Sequence, residues 1–176
     1  MRRSWRRTYD MGLVISNSST LIHLSSIGRL ELLREFFGKI VIPQAVWEEV
    51  VAEGRGRAGA EEVRRARSEG WVEVSTVSNE PLVRLLERDL DRGEAEVIAL
   101  AIERKADLVL LDESDARRIA ELFDLRKTGI VGLLIRAKRE GRISSLREEL
   151  DRLRGEGGFW IGDELYLQAL KAVGEV

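Results

Sequence analysis

The feature that most constrains this chain is the alternation of short apolar runs with segments of helical periodicity. Residues 12–16, 39–42 and 108–111 are brief and rich in Val, Ile and Leu. A strand buried on both faces reads this way, as a continuous apolar run without in–out alternation. Residues 71–75 (Trp-Val-Glu-Val-Ser) do alternate and read as an edge strand, and residues 125–128 as a further short strand. Between them lie predicted helices. One is capped by Ser18, Ser19 or Thr20 and runs through Leu24; others cover 30–37, 44–53, 60–69, 81–90, 94–105, a segment holding Ile119, Leu122 and Phe123, 130–140, a segment from Ser144 or Ser145 through Leu153, and 162–172. In the helix over 81–90, Leu82, Leu85, Leu86 and Leu90 are expected on one face. Strands separated by helices build βαβ units, hence an α/β fold: an α/β/α sandwich around a central parallel sheet in a single domain.

Composition narrows the chemistry. The chain has 176 residues with 44% hydrophobic side chains, enough for one well-packed core. Without cysteine, disulfide scaffolds and thiolate zinc sites are excluded. His23 is the only histidine, which excludes a multi-histidine metal site and leaves a Ser/His/Asp triad a single possible base. On its helix, among Leu21, Ile22 and Leu24, His23 reads as a packing or surface residue. Basic residues number 29 and acidic residues 31, so any nucleic acid partner must meet a segregated basic face rather than a polycation. Residues 1–11 carry Arg2, Arg3, Arg6 and Arg7 with no apolar run behind them and read as a flexible basic extension, not a secretory signal. The apolar runs are too short to span a bilayer, and the expected location is the cytoplasm.

In an open parallel sheet, ligands bind beyond the carboxyl ends of the strands. The first strand ends at Ser16-Asn17-Ser18-Ser19, and the most strand-like run ends at Asp112-Glu113-Ser114-Asp115. Three acids with no base among them are compatible with a bound cation and equally with the acidic first turn that a helix dipole favours. Glu94 lies four residues before Ile98, on the core-facing stripe of its helix, whereas Glu96 points elsewhere, toward the face of Glu103. A carboxylate at the buried end of a helix needs a partner. Glu48 and Glu49 follow the second strand, where either also fits a solvated surface.

Four of these segments, in this order, resemble the PIN domain family: residues 14–22, 42–50, 91–101 and 110–117, continued by Thr128-Gly129-Ile130 and Ala137-Lys138. The likeness spans about residues 12–170 and is nearest to prokaryotic members with a Gly-Glu-Ala-Glu helix and a late Asp-Glu-Leu-Tyr segment, here residues 163–166. The domain is thus expected over 12–172. The resemblance implies a metal-dependent ribonuclease, relatives that act as toxins of toxin–antitoxin pairs, and a homodimer. It places the first acidic position on Asn17, the second on Glu49, the third on Glu94 and the fourth among Asp112, Asp115 and Glu113, ranked in that order. Ser19 matches a small hydroxyl that orients the first acid or a water.

The implied chemistry is in-line attack of water on a phosphodiester of single-stranded RNA, with Mg²⁺ or Mn²⁺ held by oxygen ligands. Arg117, Arg118, Arg136, Lys138 and Arg139 are candidate phosphate contacts, each also readable as part of a solvated helix face. Asn17 departs from the pattern: an amide oxygen can ligate a cation but brings no charge. Three outcomes follow from it: a module that binds RNA or a partner without cutting, an inactivated variant, or a site with weakened cation affinity. No alternating basic–aromatic platform for base stacking is evident.

Overall fold

Val14-Ile15-Ser16 pairs on both sides with equally apolar partners, and the sheet grows outward from it. The computed structural model describes residues 12–176; the expected basic extension over 1–11 lies outside the described residues. The strands are β1 (Val14–Ser16), β2 (Ile40–Pro43), β3 (Val72–Ser75), β4 (Leu108–Leu110) and β5 (Lys127–Thr128). All pair in parallel in the order β3-β2-β1-β4-β5. Ile15 faces Val41 on one side and Val109 on the other. The alternating segment 71–75 does supply an edge strand. The expected fifth strand over 125–128 shortens to two residues, because Leu125 closes the preceding turn through its N–H to the carbonyl of Ala120.

The helices are α1 (Ser18–Ser26), α2 (Glu31–Phe37), α3 (Gln44–Trp47), α4 (Ala60–Ser68), α5 (Glu80–Leu86), α6 (Arg92–Arg104), α7 (Ser114–Leu122), α8 (Ile130–Arg139), α9 (Leu146–Gly155) and α10 (Asp163–Ala172). They flank the sheet as an α/β/α sandwich in one domain. α6 packs against β1, β2 and β4, while α1 lies between α4 and α8. The core is continuous: Ile15, Leu21, Phe36, Ile40, Ile98 and Leu110 are fully buried within it. Each such side chain stabilises the fold by about 1.5–3 kcal/mol relative to exposure.

Two helices differ from the periodic reading. The segment over 44–53 is not one α-helix: after α3 it widens into a π-helical turn, Glu48–Ala52. In α5, Leu86 is buried but Leu85 is exposed, so the apolar face is narrower than the leucine count suggests. Among the described residues no helix is long and apolar enough to cross a membrane.

β1 is the switch point of the sheet. The chain leaves it toward β2 and β3 and then returns across it to form β4 on its other side. A crevice opens at the carboxyl ends of two strands whose connections diverge in this way.

Candidate active site

The first strand ends in a helix cap. Asn17 is extended, and its Oδ1 accepts the Thr20 N–H at 3.0 Å, satisfying one of the free donors at the start of α1. This holds Asn17 at the crevice, only 2% exposed. Ser18, next in the chain, donates from Oγ to Glu49 Oε2 at 2.6 Å. Glu49 stands in the π-helical turn, and single turns of this kind recur at functional sites because the extra residue redirects a side chain.

Glu94 reaches the same place through a capping box. Asp91 is the N-cap of α6: its Oδ1 accepts the Glu94 N–H at 2.8 Å, and Glu94 Oε2 accepts the Asp91 N–H at 3.2 Å. A Cβ on the intervening Gly93 would lie 3.4 Å from Glu49 Oε2, so Glu49 rests against the first turn of α6. Glu113 completes the wall from the end of β4 as the N-cap residue of α7.

These groups line one cleft of about 360 Å³: Asn17, Ser18, Ser19, Ile22, His23, Glu49, Asp91, Glu94 and Glu113. Its electrostatics are those of crowded acids. Burial pushes Glu94 up to about 7, the Asp91 carboxylate adds to the rise, and Glu113 and Glu49 contribute further; the Asp91 N–H works against them.

The structure therefore brings together Asn17, Glu49, Glu94 and Glu113, with Ser19 beside them. Asp112 and Asp115 are placed otherwise. Asp112 is a brace: Oδ2 accepts the Thr20 hydroxyl at 2.9 Å, and Oδ1 accepts the Ile130 N–H at 2.8 Å. Gly129 makes this approach possible, since a Cβ there would come within 2.6 Å of Asp112 Oδ1. Asp115 is exposed on α7 and pairs with Arg118 at 3.7 Å. Glu96 turns away from the cleft, on the side of α6 that carries Glu103, and is deeply buried there. It accepts the Ala45 N–H at 3.2 Å and pairs with Arg92 at 2.7 Å.

The basic residues divide likewise. Arg117 lies beside the Asp112 brace, with Nη1 3.1 Å from where a Gly129 Cβ would sit. Lys138 and Arg139 are at the far end of α8, about 12 Å along the helix from Ile130. There Lys138 donates to the Ser144 carbonyl and Arg139 to the Ala172 carbonyl. Arg136 packs over Phe36 and pairs with Glu140.

Three polar cleft residues were missed in the sequence, besides the apolar Ile22. Asp91 reads as a turn, although Asp-Arg-Gly-Glu is a capping box that places its carboxylate beside Glu94. Ser18 reads only as a helix cap. His23, taken for packing or surface, lines the cleft: its Nδ1 lies 2.8 Å from the Ser19 carbonyl and 3.1 Å from Ser19 Oγ. The carbonyl contact is a hydrogen bond in the tautomer protonated at Nδ1, and the Ser19 hydroxyl can donate to Nδ1 in the other.

A profile of the PIN domain family matches residues 13–175, the whole sheet and every helix described above. The chain belongs to the PIN domain family. PIN domains are generally nucleases, bind RNA and use divalent metals. No curated protein matches the chain. The donor set of this PIN domain suits a hard divalent cation in its chemistry: carboxylate and amide oxygens whose mutual repulsion a positive charge would relieve. Among the described residues, however, no three acidic or imidazole groups are already arranged to hold a single ion.

Proposed function

We propose that this PIN domain is a metal-dependent endoribonuclease acting on single-stranded RNA in the cytoplasm, with Mg²⁺ or Mn²⁺ as its ion. The observation that carries this reading is the meeting of Glu49, Glu94 and Glu113 with Asn17 in one cleft at the switch point of the sheet. Glu49, Glu94, Glu113 and the Asn17 amide oxygen would hold the ion, with Asp91 beside them. The ion would supply the positive charge that draws a phosphodiester into an acidic cleft and stabilises the charge of in-line displacement. Ser18 fixes the Glu49 carboxylate, and the Asp91 cap fixes Glu94. Without a cation the Glu94 pKa is about 7; a bound divalent ion would lower it and keep the carboxylate ionised as a ligand. In this reading Asp112 is a structural brace and Asp115 one partner of an exposed ion pair, rather than ligands of the ion, and Arg117 and Arg118 on α7 are the candidate phosphate contacts.

The test is cleavage of single-stranded RNA with Mg²⁺ or Mn²⁺, by this chain and by Asn17→Asp. Cleavage that EDTA and Glu94→Gln abolish supports the proposal; no cleavage by either form overturns it. A second reading is favoured by the uncharged Asn17: a module that binds RNA without cutting. RNA binding unaffected by EDTA, with no cleavage, selects it.

The toxin role, an antitoxin partner and a homodimer belong to the same proposal. Leu122 and Phe123 at the end of α7 are exposed apolar surface that such partners would cover. Light scattering of the purified chain, with and without substitution of Leu122 by a charged residue, tests the homodimer.

A further inference from the structure

Glu96 is a buried acid outside the cleft, with 6% of the residue exposed. Donors from two different helices engage its two oxygens. Oε1 accepts the Ala45 N–H at 3.2 Å, and Oε2 accepts Arg92 Nε at 2.7 Å. The Ala45 N–H is one of the free donors at the start of α3, and Pro43, the N-cap there, has no side chain that could accept it. A carboxylate from a neighbouring helix thus takes the place of a capping side chain.

Charge balance does not explain why an acid stands here. Arg92 is already paired with Glu80 through both terminal nitrogens, at 2.8 and 3.0 Å, and lies 3.4 Å from Glu87. A buried ion pair is in any case weak evidence for stability, since the cost of desolvating it offsets much of the attraction. What Glu96 provides is a second fixed point between two elements. One turn before it on α6 is Gly93, where a Cβ would lie 3.4 Å from Glu49 Oε2 and 3.7 Å from Val46 Cγ2. α3 and the π-helical turn that continues it therefore meet α6 at two places, by close packing at Gly93 and by a hydrogen bond at Glu96. The elements so joined carry Glu49 and Glu94.

We propose that Glu96 is a positioning residue of the cleft. By holding the Ala45 N–H it fixes how Glu49 and Glu94 stand to one another, and with that the affinity of the cleft for a divalent cation. The proposal rests on the metal-dependent ribonuclease reading and adds to it a carboxylate that touches neither the ion nor RNA. Linkage makes the effect reciprocal: if breaking the tie weakens ion binding by some factor, ion binding strengthens the tie by the same factor.

The experiment measures Tm and the affinity for Mn²⁺ or Mg²⁺, whichever the unaltered chain binds more tightly, by calorimetric titration. Glu96→Met fills a similar volume without accepting the Ala45 N–H and is expected to weaken ion binding roughly tenfold, about the worth of one hydrogen bond to a charged group. Glu96→Gln keeps an acceptor oxygen for Ala45 and is expected to restore most of that affinity, even though loss of the Arg92 pair lowers its Tm. Leu150→Ala, in the core on α9 and outside the cleft, is expected to lower Tm with no change in ion affinity. In the unaltered chain, saturating ion is expected to slow hydrogen exchange at the first turn of α3 roughly tenfold, a readout that requires no variant to fold. Ion binding by Glu96→Met as tight as in the unaltered chain, binding by Glu96→Gln no tighter than by Glu96→Met, or exchange unchanged by the ion overturns the proposal and leaves the ribonuclease reading intact. An equal loss of ion affinity in Leu150→Ala also overturns it, making Glu96 a matter of stability alone. Failure of the unaltered chain to bind either ion overturns both.

Discussion

Ser18 and Glu49 stand 31 positions apart in the chain, yet the serine hydroxyl lies 2.6 Å from the carboxylate and donates to it. One hydrogen bond thereby ties the exit of β1 to the π-helical turn after β2. Ser18→Ala removes the tether without removing an acid. The fold is expected to lose about 0.5–1.5 kcal/mol, or more where the hydrogen bond is to a charged group. RNA cleavage is expected to fall more than divalent-ion affinity, because Glu49 keeps its charge and loses its orientation. Calorimetric ion titration beside a cleavage assay separates the two effects.

Asn17→Asp is expected to preserve the fold and raise affinity for Mg²⁺ or Mn²⁺. The cap to Thr20 needs only one oxygen, and the second carboxylate oxygen would take the place of Nδ2. An unchanged ion affinity by isothermal titration would remove Asn17 from the site.

Asp112→Ala and Glu113→Gln are expected to fail in different ways. Asp112 holds the Thr20 hydroxyl and the Ile130 N–H, so its loss should cost about 1.5–3 kcal/mol and lower Tm by several degrees. Glu113 lines the cleft, and Glu113→Gln should leave Tm unchanged while lowering ion affinity and cleavage. Thermal unfolding and ion titration of both variants check the assignment.

Glu94 makes stability depend on pH. Its pKa is raised from 4.5 to about 7 in the fold, so the folded state holds this proton across a range where the unfolded chain has released it. The corresponding stability is complete below 4.5 and is lost as pH rises through about 7. Glu94→Gln removes the repulsion, and its Tm at about pH 8 should exceed that of the unaltered chain by roughly 2–4 °C, with the gap closing toward pH 5. An added divalent ion should reverse the ordering at the higher pH, since only Glu94 can supply a charge to it.

Much of the architecture is legible in the residues themselves. The apolar runs around Ile15, Val41 and Val109 can only be strands buried on both faces, and their separation by helices dictates a parallel sheet. The PIN resemblance then brought Glu49 and Glu94 forward as candidates, and both line the cleft. The choice between Asp112 and Glu113 was beyond the sequence. Both follow β4, and what turns Asp112 inward is a hydroxyl 92 positions earlier and an N–H 18 positions later. Lys138 and Arg139 raise a related point: charge on a helix is visible in sequence, but which end of that helix it occupies relative to the cleft depends on packing.

The cap at the end of β1 has an evolutionary consequence. Because Thr20 asks of residue 17 only a single acceptor oxygen, either an amide or an acid can serve the cap, while an acid buried beside Glu49 and Glu94 adds repulsion that a cation would relieve. Codons for the two differ by one nucleotide transition. Under the proposed function, a lineage carrying this cap could mute or rearm its chemistry in one mutational step without losing the start of α1.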